Sequence, residues 1–378
     1  MIVPITISGG GLIGNYISRR LRRSGIESII IEKNKPPQNK LDSIRTITLN
    51  PKSIELLEKE GINIASSSIQ KIIASDGNSS GKIVFSSSDI GYSELSSVVM
   101  FDDLNKALQE GNLNNTLFET QINSIKYIHE DKLTSIELSS GSKIISEVLV
   151  ACDGKNSNVA KLYNFENKAH SYNQTAATFL VQADSDITHA HQIFSEIGIF
   201  ALMPAPKENI FTVVWSINNL HIENLDIKDF VIDNLKYFED KLGHKMILSS
   251  KILNFELSNH YFKNYIKDSV VLMADSAHSI HPLAGQGVNL GFEDADIFCE
   301  KIEDAYSLGL KLNEPTFLKQ YSIEREALNY LMLKSMDLFL DFFNLKNLYL
   351  RLIRGMGLNM VNKSKFLKTF FIKRASGK

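Results

Sequence analysis

Three glycines near the start of the chain have the spacing of a nucleotide-binding turn. Gly9, Gly11 and Gly14 form the pattern G-x-G-x-x-G, which permits a tight turn, close approach of a pyrophosphate and close packing of a helix on a strand. A bound phosphate would meet the N-terminus of the next helix, where unpaired N–H groups favour an anion. Glu32 follows and is predicted to accept hydroxyls of an adenosine ribose. Because a carboxylate repels a 2′-phosphate, the turn is expected to bind FAD or NAD rather than NADP.

A second cluster of glycine and polar residues lies between residues 273 and 291. Asp275 follows a predicted buried strand, and its carboxylate is placed to take hydroxyls of a ribityl chain. Gly285, Gln286 and Gly287 precede a predicted helix, and backbone N–H groups there suit the electron-rich edge of a flavin. This segment therefore favours FAD over NAD.

The elements that position the first motif are predicted from hydrophobic periodicity. Ile5 and Ile7 indicate a strand that Pro4 opens. A helix with one apolar face then runs to about Ser24, and a short apolar run ending at Glu32 is typical of a buried parallel strand. The chain is thus expected to begin with a βαβ unit.

The full chain of 378 residues is long enough for more than one domain. We predict an α/β fold in which a discontinuous, Rossmann-like FAD-binding domain carries an inserted β-rich substrate domain and a helical C-terminal tail. The predicted boundaries are 1–172 and 263–330 for the two parts of the FAD-binding domain, 173–262 for the β-sheet substrate domain and 331–378 for the C-terminal helices.

Composition excludes several classes of protein. Lys and Arg total 41 against 43 Asp and Glu, which argues against a general nucleic-acid binder. The two cysteines, Cys152 and Cys299, are too few for a disulfide framework and favour a reducing compartment. The sequence shows neither a long apolar segment nor the features of a signal peptide, so a cytoplasmic location is expected.

The segment from Met273 to Gly291 resembles the signature G-D-A-A-H-x-x-x-P-x-x-G-Q-G-x-N of flavoprotein aromatic hydroxylases of the para-hydroxybenzoate hydroxylase type. Its form with His278, His281 and Pro282 is most similar to the UbiH family of ubiquinone-biosynthesis hydroxylases. Other landmarks occur in the family's order, so that the resemblance covers nearly the whole chain: Arg45, Thr48, Leu49, residues 73–77, residues 150–157, residues 194–204, Trp215, Tyr321 and Arg325.

The resemblance implies an FAD-dependent monooxygenase that uses NADPH or NADH and O2. In such enzymes a flavin C(4a)-hydroperoxide hydroxylates a phenol ring, here the ring of a polyprenyl-phenol in ubiquinone biosynthesis. The cofactor-binding residues predicted from the two motifs and the resemblance together are Gly9, Gly11, Leu12, Ile13, Gly14, Glu32, Lys33, Arg45, Asp153, Gly154, Asp275, Gly285, Gln286, Gly287, Val288 and Asn289.

Catalytic roles are predicted for Arg45, His281 and Pro282. A substrate pocket is predicted at Phe194, Met203 and Trp215, although aromatic and Met side chains on strands are also typical of a simple core. A metal site at Asp275, His278 and His281 is disfavoured, because this spacing beside a proline fits a flavin turn better.

Two further functions stay open. The substrate is either the polyprenyl-phenol or another small phenol, whereas a flavin halogenase is disfavoured because the chain has only one tryptophan. Ala160, Ala274 and the pair Asp102 and Asp103 differ from the family pattern. These differences favour, as an alternative, a flavin-holding subunit of a biosynthetic complex with little turnover.

The C-terminal tail mixes apolar and basic residues over 345–378. A helix of this composition fits peripheral contact with the inner face of an anionic membrane, where a polyprenyl substrate resides. It fits equally well a helix that packs on the FAD-binding domain with a solvated basic face. The predicted partners are the polyprenyl-phenol, O2 and, through a shared pathway, other proteins of ubiquinone biosynthesis.

Overall fold

The computed structural model describes residues 2–36, 43–77, 79–183, 189–223, 225–281, 285–344 and 364. The helices of this part of the chain are α1 (Leu12–Arg23), α2 (Pro51–Lys59), α3 (Phe101–Glu110), α4 (Asn158–Leu162), α5 (Ile227–Leu242), α6 (Gln286–Ser307) and α7 (Pro315–Asn344). Its strands are β1 (Ile2–Ser8), β2 (Ser28–Ile31), β3 (Thr46–Leu49), β4 (Ser66–Ile69), β5 (Lys71–Asp76), β6 (Lys82–Ser86), β7 (Ser96–Met100), β8 (Thr116–Leu117), β9 (Ile122–Ile128), β10 (Leu133–Leu138), β11 (Lys143–Ala151), β12 (Asn167–Ala183), β13 (Ala190–Ser195), β14 (Gly198–Pro204), β15 (Ile210–Asn218), β16 (Met246–Leu248), β17 (Leu253–Phe262), β18 (Ile266–Lys267), β19 (Val270–Leu272) and β20 (His278–Ser279).

The first sheet contains the predicted βαβ unit. Its strands follow the order β18-β19-β11-β1-β2-β8, and the inner pairs from β19 to β8 are parallel. The antiparallel hairpin of β9 and β10 pairs with the first half of β11. Ile5 and Ile7 on one face of β1 and Thr6 on the other are fully buried, as expected for a parallel strand that is covered on both faces. The Rossmann-like α/β architecture predicted from the sequence is confirmed.

The start of β1 differs slightly from the prediction. The strand begins at Ile2, and Pro4 lies inside it rather than opening it. In the register with β11, Val3 pairs with Ser146 and Ile5 pairs with Val148. Proline lacks an N–H donor, so the strand tolerates it where one ladder bond is missing.

The second sheet is the β-rich insertion. Its strands follow the order β20-β17-β12-β15-β14-β13-β5-β6, and β16 pairs with the end of β12. Helix α5 covers one face of this sheet, where Phe230 and Phe238 pack on side chains of β14 and β15. The strand β12 has 17 residues; it pairs with β17 over residues 167–178 and with β15 over residues 174–182.

The second sheet does not coincide with the predicted segment 173–262. It recruits β5 and β6, because β5 pairs in parallel with β13. It also begins earlier than predicted, at Asn167, and it includes β20 through the pairing of Ser279 with His260. These pairings join segments that are distant in the chain, so no local pattern in the sequence predicts them.

Two C-terminal helices close the first sheet. Tyr16 of α1 meets Phe292 of α6 edge to face at 5.4 Å, and Phe298 of α6 meets Tyr321 of α7 at 5.8 Å. Helix α7 begins at Pro315, before the predicted start of the helical tail.

Among the helices of the described residues, none is both long enough and apolar enough to cross a membrane. The predicted tail helix over 345–378 lies outside the described residues, apart from residue 364.

Candidate active site

The glycine-rich turn joins β1 to α1 and touches β11. Gly9 has a φ of +105°, and a Cβ there would lie 2.4 Å from the backbone oxygen of Cys152, so only glycine fits. A Cβ on Gly14 would lie 2.1 Å from the oxygen of Gly9, which explains the close packing of α1 on the strand. Gly11 precedes α1, and nothing lies within 4 Å of where its Cβ would be. The turn thus leaves open space at the N-terminus of the helix.

Glu32 lies directly after β2 and faces this turn. Its Oε2 accepts a hydrogen bond from the Gly10 N–H at 2.7 Å, and its Oε1 accepts from the backbone N–H of Asn34 at 2.8 Å. The carboxylate is therefore held beside the helix N-terminus. Oε1 also accepts from the Asn34 side-chain amide at 2.6 Å, so the second lone pair of Oε2 is the one that can accept a ribose hydroxyl.

A cavity of about 360 Å³ connects the turn with the segment around Asp275. Its walls come from β1, β2, the turn after β11 and the start of α6. The predicted cofactor residues that line it are Gly9, Gly11, Leu12, Ile13, Glu32, Lys33, Arg45, Asp153, Gly154, Asp275, Gly287 and Val288.

The remaining predicted cofactor residues, which are Gly14, Gly285, Gln286 and Asn289, do not line this cavity. Asn289 is buried, and its Oδ1 accepts from the Asn50 N–H at 2.8 Å while its Nδ2 donates to the oxygens of Thr48 and Gly285 at 3.0 Å. Its side chain therefore links the start of α6 to the end of β3 and the start of α2 through hydrogen bonds. A direct cofactor contact through this amide is not supported by the geometry.

Asp153 and Gly154 form a turn after β11 that is tied to the segment carrying Asp275. Asp153 Oδ2 accepts from the N–H groups of Asn158 at 2.7 Å and Val159 at 3.2 Å, so it caps α4. The Ser276 hydroxyl donates to Asp153 Oδ1 at 3.1 Å and accepts from the Gly154 N–H at 3.0 Å. One serine thus fixes the two cavity-lining turns relative to each other.

Arg45 and Asp275 bring opposite charges to the cavity wall. The Arg45 guanidinium lies 4.2 Å from the centre of the Phe101 ring. Enclosure by the protein lowers the pKa of Arg45, an effect that Asp275 and Asp102 oppose, and the guanidinium remains charged. Enclosure raises the pKa of Asp275, and His278 and Arg45 oppose that rise.

Ala274, the residue before Asp275, has a φ of +51°. This left-handed conformation favours glycine, which the family pattern has at this position. The departure noted in the sequence is therefore a strained residue next to a predicted cofactor contact.

A buried ionic network lies behind Asp275. Asp294 of α6 is fully buried and accepts from Arg325 Nε at 2.6 Å, Asn329 Nδ2 at 2.9 Å, His278 Nε2 at 2.6 Å and the Ala274 N–H at 3.2 Å. Burial acts to raise the pKa of Asp294, but the charges of His278 and Arg325 outweigh it, and the pKa lies well below the usual range.

Asp294 is not among the site residues predicted from the sequence. In the sequence, what marks Asp294 is that an acidic residue lies on the same face of α6 as the buried side chains of Phe298 and Cys299. Such a residue on an apolar helix face predicts a buried partner, and Arg325 is that partner.

The predicted substrate residues separate onto two faces of the second sheet. Phe194 packs with Ile199, and Met203 Sδ accepts from the Thr48 hydroxyl at 3.5 Å, so both lie on the face away from α5. Trp215 lies on the opposite face, fully buried against Phe230 and Phe238. The prediction that Trp215 lines a substrate pocket is therefore not supported, since the alternation of side chains along β15 directs it into the core under α5.

His281, a predicted catalytic residue, follows β20 and is buried. Its ring meets the Tyr172 ring edge to face at 5.0 Å, and its Nε2 lies 2.9 Å from Gln174 Oε1. Pro282, the other predicted catalytic residue of this segment, lies outside the described residues. The described part of the chain contains no group of three side chains placed to hold a metal ion.

A parallel dinucleotide-binding sheet, an inserted β-sheet and a cavity from the glycine turn to Asp275 define the class of FAD-dependent monooxygenases. The open helix N-terminus and the carboxylates of Glu32 and Asp275 fit the pyrophosphate and hydroxyl groups of FAD. Residues 2–334 match the model of the FAD binding domain family, and the chain belongs to that family. FAD is accordingly its cofactor, and NADPH or NADH is the typical reductant.

The chain is similar to known hydroxylases, one of which it matches over nearly its whole length. It is 28% identical to 3-demethoxyubiquinol 3-hydroxylase of Escherichia coli (strain K12), with 99% of this chain and 98% of that protein covered. Ubiquinone hydroxylase UbiL of Rhodospirillum rubrum is 28% identical over 64% of this chain and 57% of that protein. These relatives confirm the predicted resemblance to the UbiH family.

The fold is also shared with a solved structure. The structure of p-nitrophenol 4-monooxygenase PnpA from Pseudomonas putida DLL-E4 superimposes with a TM-score of 0.81 at 13% identity, covering 99% of this chain and 98% of that chain. At this identity the likeness establishes the architecture alone.

Proposed function

We propose that this FAD-dependent monooxygenase hydroxylates the aromatic ring of a polyprenyl-phenol in ubiquinone biosynthesis, with NADPH or NADH and O2 as co-substrates. The observation that carries the proposal is the match to a 3-demethoxyubiquinol 3-hydroxylase over 99% of this chain and 98% of that protein. The match includes the second sheet as well as the FAD-binding part. A relative that shared only the cofactor domain would say little about the substrate.

The residues around the cavity have separate roles in holding FAD. The glycine turn and the N-terminus of α1 would bind the pyrophosphate, Glu32 the adenosine ribose, and Asp275 the ribityl hydroxyls. Bound FAD supplies electron transfer from the nicotinamide and activation of O2. Arg45 supplies a fixed positive charge at the cavity wall, opposite Asp275.

The second sheet would provide the substrate side of the site. Phe194 and Met203 share the face away from α5, and both are apolar, as the ring of a prenylated phenol requires. An apolar surface there excludes water from the reacting atoms. The His281 ring packs on Tyr172, which borders this face, and His281 lies in the segment that leads from β20 toward α6.

The test begins with the purified full-length chain. The protein should be yellow or take up added FAD, and anaerobic NADH or NADPH should bleach the flavin. With O2 and a short-chain 3-demethoxyubiquinol, mass spectrometry should detect a product that has gained one oxygen atom. A protein that binds no FAD contradicts the proposal. Oxygen insertion into other phenols only would replace the substrate class with the alternative of a small phenol.

A flavin-holding subunit with little turnover is a second candidate. The observation that favours it is the left-handed Ala274 beside Asp275, because strain at this position weakens the preorganisation of the cofactor site. This candidate predicts that FAD stays bound but that neither nicotinamide bleaches it, with or without a phenol. Rapid bleaching would exclude it.

We further infer, from sequence alone, that residues 345–378 contact an anionic membrane from the cytoplasmic side. The segment combines Lys and Arg with Phe, Leu and Ile, and the proposed substrate carries a polyprenyl chain that partitions into lipid. Each basic residue near such a surface adds on the order of 1 kcal/mol of attraction.

A further inference from the structure

His281 lies where the first and second sheets meet. It follows β20, which pairs with β17 of the second sheet, and it precedes α6, whose residues Gly287 and Val288 line the cavity. Its side chain is 1% exposed. Tyr172, whose ring packs on His281, also packs against the apolar cluster that contains Phe194. His281 thus lies beside the proposed substrate face, in the segment between the cavity-lining residue Asp275 and the cavity-lining start of α6, although its side chain does not line the cavity itself.

The contact with Gln174 fixes which ring nitrogen of His281 carries hydrogen. An amide oxygen can only accept, so His281 Nε2 must donate to Gln174 Oε1 across the 2.9 Å separation. Burial lowers the pKa of His281 to about 4, although Asp337 opposes that shift. At neutral pH the ring therefore carries one proton, on Nε2, and Nδ1 is an acceptor. Nδ1 has no hydrogen-bond partner among the residues that the structure describes.

An irregularity in β12 brings the two contacting residues to His281. Ser171 pairs with Ser258 and Gln174 pairs with Leu257, so β12 has two more residues than β17 between these pairs. Asn173, inside this bulge, has a φ of +51°. Bulges of this kind redirect side chains near active sites, and this one lies where β12 carries Tyr172 and Gln174.

The other groups near His281 hold Tyr172 in place. The Tyr172 hydroxyl donates to Asp337 Oδ1 of α7 at 2.8 Å and accepts from Asn259 Nδ2 of β17 at 3.0 Å. Lys334 lies 3.4 Å from the other oxygen of Asp337, and the His170 ring meets Tyr172 at 5.8 Å. Asp337, Lys334 and His170 are thus the charged and titratable groups that the structure shows around this pair.

We propose that Gln174 is a positioning residue that holds His281 in the Nε2–H tautomer, so that Nδ1 accepts a hydrogen bond from the hydroxyl of the phenolic substrate. The proposal rests on the proposed function for the identity of the ligand. The tautomer itself depends only on this chain. A buried acceptor without a protein partner is expected to be matched by a ligand or by water.

The tautomer is tested by nitrogen NMR of the FAD-loaded protein labelled at histidine. His281 is assigned by its loss in His281→Gln. At pH 7 the wild-type Nδ1 should show the shift of an unprotonated nitrogen. Gln174→Leu should shift the two ring nitrogens toward a mixture of tautomers, whereas Gln174→Glu should retain the Nε2–H form. A protonated Nδ1 in the wild type overturns the proposal, and of the variants only His281→Gln, which gives the assignment, must fold for this measurement.

Turnover of a short-chain 3-demethoxyubiquinol tests the positioning role. Gln174→Leu should lower kcat roughly 10- to 100-fold while FAD content is unchanged. Gln174→Glu should move the acid limb of the kcat profile upward by about 1 to 3 pH units, because a carboxylate raises the pKa of the imidazole. Gln182→Leu, an exposed position on the same strand, is the control and should behave as wild type.

Two results separate this inference from the proposed function. Unchanged kcat and an unchanged pH profile in both Gln174 variants overturn the positioning role while leaving the hydroxylase function intact. A wild type with the expected tautomer but no hydroxylation of the prenylated phenol would instead reject the proposed function and, with it, the assignment of the ligand.

Discussion

Replacing Asp294 with Asn should destabilise the protein far more than a surface substitution of the same kind. Oδ1 of Asp294 accepts from Arg325 Nε and Asn329 Nδ2, and Oδ2 accepts from His278 Nε2 and the Ala274 N–H. Whichever oxygen becomes an NH2 group, that group will face two donors. The variant also leaves the Arg325 guanidinium, which is 5% exposed, with Glu293 as its only charged partner in the ion pairs of the described residues.

The expected loss in the free energy of unfolding is about 3–5 kcal/mol, the usual effect of removing one member of a buried ion pair. Urea unfolding at pH 7, followed by circular dichroism, measures it. The control is Asp240→Asn, which removes an exposed i,i+4 pair with Lys236 and should cost only about 0.3–0.5 kcal/mol. The double variant Asp294→Leu with Arg325→Met removes both charges and should recover only the part of the loss that comes from the unpaired guanidinium, because Asn329, His278 and the Ala274 N–H still lack their acceptor.

Acid should reduce the difference between wild type and Asp294→Asn. The pKa of Asp294 in the folded state lies below its value in the unfolded chain, so its contribution is present above about pH 4 and is lost as pH falls further. A loss in Asp294→Asn that is under about 1 kcal/mol at pH 7, or equal to that of Asp240→Asn, would refute the view that the network is a stabilising ion pair.

Four other outcomes are expected. Glu32→Gln should weaken FAD binding roughly 10- to 100-fold in a fluorescence titration while urea unfolding stays unchanged, because hydrogen bonds to a carboxylate are the stronger ones; equal affinity would remove Glu32 from the ribose site. Ala274→Gly should raise the free energy of unfolding by about 1 kcal/mol by relieving the left-handed strain, and a less stable variant would contradict that reason. The free energy of unfolding should fall as pH drops from about 6.5 to 4. Burial lowers the pKa of His260 to about 4, so the unfolded chain binds this proton at a higher pH than the folded protein does. His260→Phe should therefore reduce the dependence of the unfolding free energy on pH in this range. Liposome flotation should detect the full chain but not a chain that ends at residue 344, and equal flotation would exclude the membrane contact.

Much of the fold was predictable because the decisive patterns are local. The G-x-G-x-x-G turn, the apolar run of β2 and the helix after them carry their own periodicity, and the structure has them at the predicted places. The addition of β5 to the second sheet was not predictable, since parallel pairing with β13 depends on residues more than a hundred positions away. The same holds for Asp294, whose importance comes from Arg325 on another helix.

The face of the sheet on which a residue lies distinguishes the predicted substrate residues better than residue type does. Phe194 and Trp215 are both aromatic and both lie on strands of the second sheet, yet they lie on opposite faces. Side chains alternate between the two faces along β13 and β15, so the position of each residue in its strand sets its face. The alternation identifies the core side only once it is known which face α5 covers. That face depends on tertiary packing and cannot be read from β13 and β15 themselves.

The composite origin of the first sheet also affects how the protein is made. β1 ends at Ser8, its neighbour β11 at Ala151, and the next strand β19 at Leu272, although the three lie side by side. During synthesis the N-terminal turn leaves the ribosome long before β19 and Asp275 exist. Contacts between such distant segments form slowly, and the edges of the early strands stay unpaired until the later strands have been synthesised. FAD can therefore join only a nearly finished chain, and a nascent chain that stalls before residue 272 would present an incomplete sheet to chaperones and proteases.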